Sequence, residues 1–109
     1  MKQKEDKTML SKNNILDFLT SIKPKLKDDG IEKIGLFGSF AKDKADLFSD
    51  VDIVIKTTDD FIKKHRDVKA FIYLEELRKS ISRSLKRKVD ICDESGLKDK
   101  KILDGVIYV

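Results

Sequence analysis

Two aspartates one residue apart, Asp50 and Asp52, open an apolar run made of Val51, Ile53, Val54 and Ile55. In an extended strand successive side chains alternate faces, so Asp50 and Asp52 share one face while Val51, Ile53 and Ile55 share the other. Two carboxylates on one face repel each other, and the pattern is hard to explain as packing unless a cation sits between them. Hard oxygen donors of this kind suit magnesium or manganese. Upstream, residues 34–37 read as a short strand that runs into Gly38-Ser39, after which residues 40–42 begin a helical turn. A small-residue turn at a helix N-terminus exposes backbone N–H groups and a hydroxyl, a ready cradle for phosphate oxygens. One segment, residues 35–55, thus offers an anion cradle and a metal site about one hairpin apart.

The elements that position these groups must fit in 109 residues, room for one modest core and none for a separate substrate-binding domain. We expect a flexible tail over residues 1–12 and a single domain over 13–109. Charged residues make up 40% and hydrophobic ones 39%, the balance of a small globule with a heavily charged surface. The 24 basic residues exceed the 20 acidic ones by a net +4. Such a mild excess favours contact with nucleotides, RNA or an acidic partner, and equally fits a lysine-rich surface. A lone cysteine, Cys92, excludes an internal disulfide framework and a cysteine metal cluster. No apolar run is long enough to span a membrane and no signal-peptide pattern opens the chain, so the expected location is the cytosol. A Walker-type phosphate loop is also missing, which argues against ATP hydrolysis of that kind.

Ser11 or Asn13 caps a helix carrying Ile15, Phe18, Leu19, Ile22 and Leu26 at helical spacing. Pro24 inside that pattern predicts a kink or an early end, and Gly30 after Asp28-Asp29 suits a left-handed cap. Strands follow at 31–37 and 50–56, joined through the Gly-Ser turn and a polar surface loop at 43–48. From Phe61 the chain is helical, with Phe71, Leu74, Ile81 and Leu85 marking a long amphipathic helix. The charged stretch 63–69 reads as a loop or a separate short helix, and His65 within it as a surface residue with no role as base or ligand. Residues 86–92 give another strand, Val89 and Ile91 on one face and Asp90 on the other. Aspartate is disfavoured in mid-strand, so Asp90 is either an edge residue in water or part of a site. Residues 96–103 read as a last short helix and 106–109 as a last strand or tail.

Gly38-Ser39, about ten residues, then Asp50-Val51-Asp52 opening a strand resembles the signature of the DNA polymerase β-like nucleotidyltransferase superfamily. The short chain, with its ending Ile102-Leu103-Asp104-Gly105-Val106-Ile107-Tyr108, is most similar to the minimal nucleotidyltransferases, antitoxin partners of HEPN-domain toxins. Where that family commonly has arginine then glycine after Gly-Ser-x-Ala, this chain has Lys42 and Asp43. The resemblance implies an α/β (α+β) nucleotidyltransferase fold, a small mixed sheet with its three aspartates on one face and helices packed on the other. It implies that Asp90 is the third catalytic carboxylate beside Asp50 and Asp52, the three holding two Mg2+ ions, or Mn2+. It assigns nucleotide binding to Gly38, Ser39, Lys42 and Ser49, with ATP as substrate. The implied activity moves AMP onto a hydroxyl of a partner protein, a HEPN-type toxin. A binding-only antitoxin that inhibits by docking, and a nucleotidyltransferase acting on a small molecule or an RNA end, are the alternatives. The basic run Arg78, Lys79, Arg83, Lys86, Arg87, Lys88 reads as a solvated helix face or as a partner surface. Without interleaved aromatics it does not suggest direct nucleic-acid binding.

Overall fold

The computed structural model describes residues 10–66 and 68–109; most of the expected tail, residues 1–9, lies outside the described residues. Ser11 is the N-cap of α1 (Lys12–Asp28), its hydroxyl accepting from the Asn14 amide at 3.0 Å, a bond worth about 1 kcal/mol. The folded unit therefore begins slightly before residue 13. The early end expected at Pro24 does not occur, since α1 continues through it to Asp28. Pro24 and Thr20, whose carbonyl loses its partner, are both exposed, on a side of the helix where water can reach the freed oxygen. Gly30 turns the chain with φ +100°, a conformation open to glycine at little cost. β1 (Ile31–Phe37) then runs without a loop into the four-residue α2 (Gly38–Ala41).

β2 (Val51–Thr57) is followed by α3 (Asp59–Lys64) and α4 (Val68–Leu85), so the charged stretch ends one short helix and separates it from a long one. β3 (Val89–Asp93) comes next. The helix expected at 96–103 is instead two 3-10 turns, Glu94–Gly96 and Lys100–Leu103, ahead of β4 (Ile107–Tyr108). The sheet order is β3-β2-β1-β4. β1 is antiparallel to both β2 and β4, while β2 and β3 are parallel. The fold is thus mixed α/β with a four-stranded mixed sheet. Among the described residues no helix is long and apolar enough to cross a membrane.

Alternation along the strands sorts the sheet into two faces. Leu36 pairs with Ile53 and Ile34 with Ile55 across β1 and β2, and Val51 pairs with Val89 across β2 and β3. These residues are buried in one cluster with Ile15 and Leu19 of α1, Phe61 of α3 and Ile81 of α4. Each such side chain contributes about 1.5–3 kcal/mol by leaving water. Phe37, Asp52, Val54, Asp90 and Cys92 fall on the opposite face by the same alternation. After β3, at one edge of the sheet, the chain must cross to β4 at the other. The first 3-10 turn contacts β2 on the way, and Tyr108 donates its hydroxyl to Glu94 Oε1.

His65 is half-buried rather than a free surface residue. Its ring stacks on Phe61, centroids 4.3 Å apart, and meets Tyr73 at 4.8 Å. Aromatic surface on Phe61 and Tyr73 recruits it toward the core.

Candidate active site

Asp52 and Asp90 are direct partners in the parallel β2–β3 ladder. Paired residues in register project from the same face, so their carboxylates stand side by side. Asp50 lies one residue ahead of β2, which begins at Val51 and not at residue 50 as expected. The Asp52 carboxyl is held above its ordinary value, first by burial, then by the negative charges of Asp90 and Asp50. Asp52 thus lies within reach of the charge of both other carboxylates at one end of the sheet.

Gly38 forms the wall beside them. Phe37 pairs with Asp52 across the β1–β2 ladder, and the chain leaves β1 at Gly38 with φ +77°. A Cβ added to Gly38 would overlap Asp52 Oδ2, so glycine is needed both for the turn and for the carboxylate's place. Ser39 follows at the start of α2, half-buried, its carbonyl accepting from the Lys44 amide at 2.8 Å. Lys42 caps the other end of α2 and is exposed. Its stem runs beside Gly105, where an added Cβ would stand 3.6 Å from Lys42 Cγ and Cε. Asp43 has φ +60°, which explains why glycine suits this position. Aspartate is one of few side chains that enter the left-handed region, and here its carboxylate pairs with Lys12 at 3.0 Å.

The connector before β2 is built as a closed turn. Asp46 Oδ1 accepts from the Phe48 amide at 2.8 Å, and the Asp46 amide donates to Ser49 Oγ at 2.8 Å. The Ser49 hydroxyl is engaged by Asp46, so its visible part is to shape the approach to Asp50. Two residues of the basic run, which sequence reasoning assigned to a solvated face or a partner surface, also reach this segment. Arg87 donates to the Ser49 carbonyl at 2.8 Å, and Lys88 Nζ lies 4.0 Å from Asp50 Oδ2. The run does not act as one unit: Arg78 pairs with Glu75 at 3.0 Å on α4 and also feels the charge of Asp90. A charge run carries no local signal for such contacts, which depend on the turn after α4.

Three carboxylates with hard oxygen donors, beside a turn kept open by glycine, fit a divalent cation bound to phosphate. As placed, they do not close into a cage, and among the described residues no group of three His, Cys, Asp or Glu is gathered to hold an ion. Mutual repulsion keeps like charges apart until a cation offsets it.

Comparison with known proteins identifies the family of the chain. The family model described as polymerase beta, nucleotidyltransferase matches residues 20–108. A curated relative, the protein adenylyltransferase MntA of Thermococcus cleftensis, is 32% identical over 105 residues, covering 93% of this chain and 98% of the relative. Among solved structures, a minimal nucleotidyltransferase superimposes with a TM-score of 0.70 at 18% identity, over 94% of this chain and 99% of that one. A toxin–antitoxin structure with AMP-PNP gives 0.61 at 24% identity, over 91% of this chain and 72% of that one. At those identities the structures speak for the fold alone, while the family model and the curated relative speak for descent: this chain belongs to the polymerase beta nucleotidyltransferase family.

Proposed function

We propose that this protein transfers AMP from ATP to a hydroxyl of a partner protein, a HEPN-type toxin, and acts as the antitoxin of that pair. The observation that carries the reading is the in-register pairing of Asp52 with Asp90, with Asp50 just ahead of the strand and near enough for its charge to reach Asp52, and Gly38 against Asp52. The similarity to a protein adenylyltransferase supports the donor and the class of acceptor. The fold it shares with a toxin–antitoxin structure supports the partner. ATP as donor and a free thiol at Cys92 fit a cytosolic setting.

Asp50, Asp52 and Asp90 are the residues that would hold magnesium or manganese, which when bound would neutralise the triphosphate and make the acceptor hydroxyl more acidic. Gly38 leaves room for the Asp52 carboxylate itself, which from that place would face the triphosphate. Ser39 and the amides at the start of α2 bind phosphate oxygens, and Lys42 adds a positive charge at the far end of that helix. Asp90 takes the proton of the acceptor hydroxyl, whose oxygen attacks the α-phosphorus in line. A new phosphorus–oxygen bond to the acceptor forms, the bond to the β-phosphate oxygen breaks, and pyrophosphate leaves with the electron pair.

The test is incubation of α-labelled ATP and magnesium with a lysate of the source cells, comparing wild type with Asp52→Asn. A labelled protein band made by wild type, and weakened about a hundredfold or more in the variant, is the expected result. Label confined to RNA, equal labelling by both proteins, or no label at all would overturn the reading.

A further inference from the structure

The turn between α4 and β3 holds both peptide groups that flank Asp50. On one side, the Arg87 guanidinium donates from Nη1 to the Ser49 carbonyl at 2.8 Å and to the Asp46 carbonyl at 3.3 Å. On the other, the Val51 amide donates to the Lys88 carbonyl at 2.9 Å. The same guanidinium lies over the ring of buried Phe40, 5.5 Å from its centroid, and Phe40 directly follows Ser39 in α2. The turn is fixed in its own right, because Ser82 Oγ donates to the Arg87 carbonyl at 2.7 Å and the Arg87 amide donates to the Ser82 carbonyl at 3.3 Å. Lys86 enters it with φ +55°. Three residues further on, the chain from this turn delivers Asp90 into β3.

We infer that Arg87 is a positioning residue: its guanidinium sets the place of Asp50 relative to Asp90 and Ser39, and so sets the affinity of the carboxylates for a divalent cation. A planar fork suits this task, since one charged group can meet two carbonyls and lie over an aromatic ring together. An ammonium at the same place reaches at most one carbonyl well. Lys88 is less suited to the role, as its side chain is largely exposed and its charge stands 4.0 Å from Asp50, a distance at which a surface pair holds little in place. The inference rests on the carboxylates being the metal site proposed above, and its test separates the two.

Mn2+ binding, followed by electron paramagnetic resonance in the presence of a non-hydrolysable ATP analogue, reads the site without an acceptor. Arg87→Ala is expected to weaken Mn2+ binding about tenfold or more, the scale on which partners behind metal ligands act, while circular dichroism reports an unchanged fold. Arg87→Lys recovers part of the loss. Ser82→Ala, which removes one bond of the same turn and leaves the guanidinium in place, lowers the melting temperature but keeps Mn2+ affinity within about twofold of wild type. If Arg87→Ala does not fold, Arg87→Lys alone must still bind Mn2+ several-fold more weakly than wild type. Unchanged affinity in the Arg87 variants would overturn the inference. So would losses in Ser82→Ala and Arg87→Ala that merely track their melting temperatures. Wild type that binds no Mn2+ with the nucleotide would instead overturn the metal site itself.

Discussion

The two faces of β2 are made from alternate residues of one seven-residue strand and are built for opposite ends. On the helix side, Val51, Ile53 and Ile55 are each 0% exposed, and every one of them lowers the free energy of the fold. On the other side, Asp52 carries a carboxyl that burial and two like-charged neighbours push toward its neutral form. Alternation lets the chain place a costly charge cluster within one residue of its core, because the core face holds the strand while the other face is strained electrostatically. Stability and chemistry are thus separable at the head of β2, where Asp52 stands between Val51 and Ile53, while Val54 further along the Asp52 face is itself fully buried.

Substitutions can break or sharpen that division. Ile53→Ala strikes the core face and should cost about 2–5 kcal/mol by leaving a cavity, measured by denaturant unfolding; a cost under 1 kcal/mol would show that the helix side is loosely packed. Gly38→Ala strikes the site face. Its positive φ and the overlap with Asp52 predict a cost of about 1–3 kcal/mol. Moving the carboxylate should also slow transfer about a hundredfold, and transfer at the wild-type rate would remove Gly38 from the site.

Asp52→Asn separates the faces more finely. The folded-state value of Asp52 is raised above 3.8, so its contribution to stability is fully present below that pH and is lost as pH rises through the raised value. In metal-free buffer the variant should therefore melt slightly above wild type at neutral pH. The gap should close as pH falls toward 4, and magnesium should close it at neutral pH by stabilising wild type alone. A variant that melts below wild type at neutral pH would contradict the electrostatic strain. The smallest effect is expected at Asp43→Gly, which relieves a left-handed backbone worth about 1 kcal/mol and gives up a surface pair with Lys12 worth about 0–1 kcal/mol. Thermal melting should shift little and transfer should be unchanged.

What the sequence made legible follows the range of the forces involved. Period-two alternation is local, so the opposed faces of Val51 and Asp52 and of Val89 and Asp90 could be read directly, whereas Asp50 falls one residue ahead of the strand. The left-handed Gly30 is also local, and the structure bears it out with φ +100°. The register that seats Asp90 opposite Asp52 is set by distant chain, and only resemblance pointed to it before the ladder was seen. Pro24 does not end α1, because whether a proline stops a helix depends on whether the orphaned carbonyl can meet water. Arg87 was hidden for a similar reason: its partners at Asp46 and Ser49 lie 41 and 38 residues away in the chain. His65 is drawn inward by Phe61 and Tyr73, a contact invisible in its charged neighbourhood. The C-terminal stretch was expected to be helical, yet it must span the sheet from β3 to β4, and short 3-10 turns cover that path with fewer residues per unit length than an α-helix.

The central claim is that Asp50, Asp52 and Asp90 jointly hold a divalent cation beside the Gly38-Ser39 turn. The most direct measurement is a crystal structure with Mn2+ and a non-hydrolysable ATP analogue, with the metal located by its anomalous signal. The account predicts a peak about 2.0–2.2 Å from carboxylate oxygens of both Asp50 and Asp52, the span typical of small hard cations, with the triphosphate against the start of α2 and Asp90 next to the α-phosphate. A nucleotide bound elsewhere, or manganese that leaves the three carboxylates uncoordinated, would contradict it.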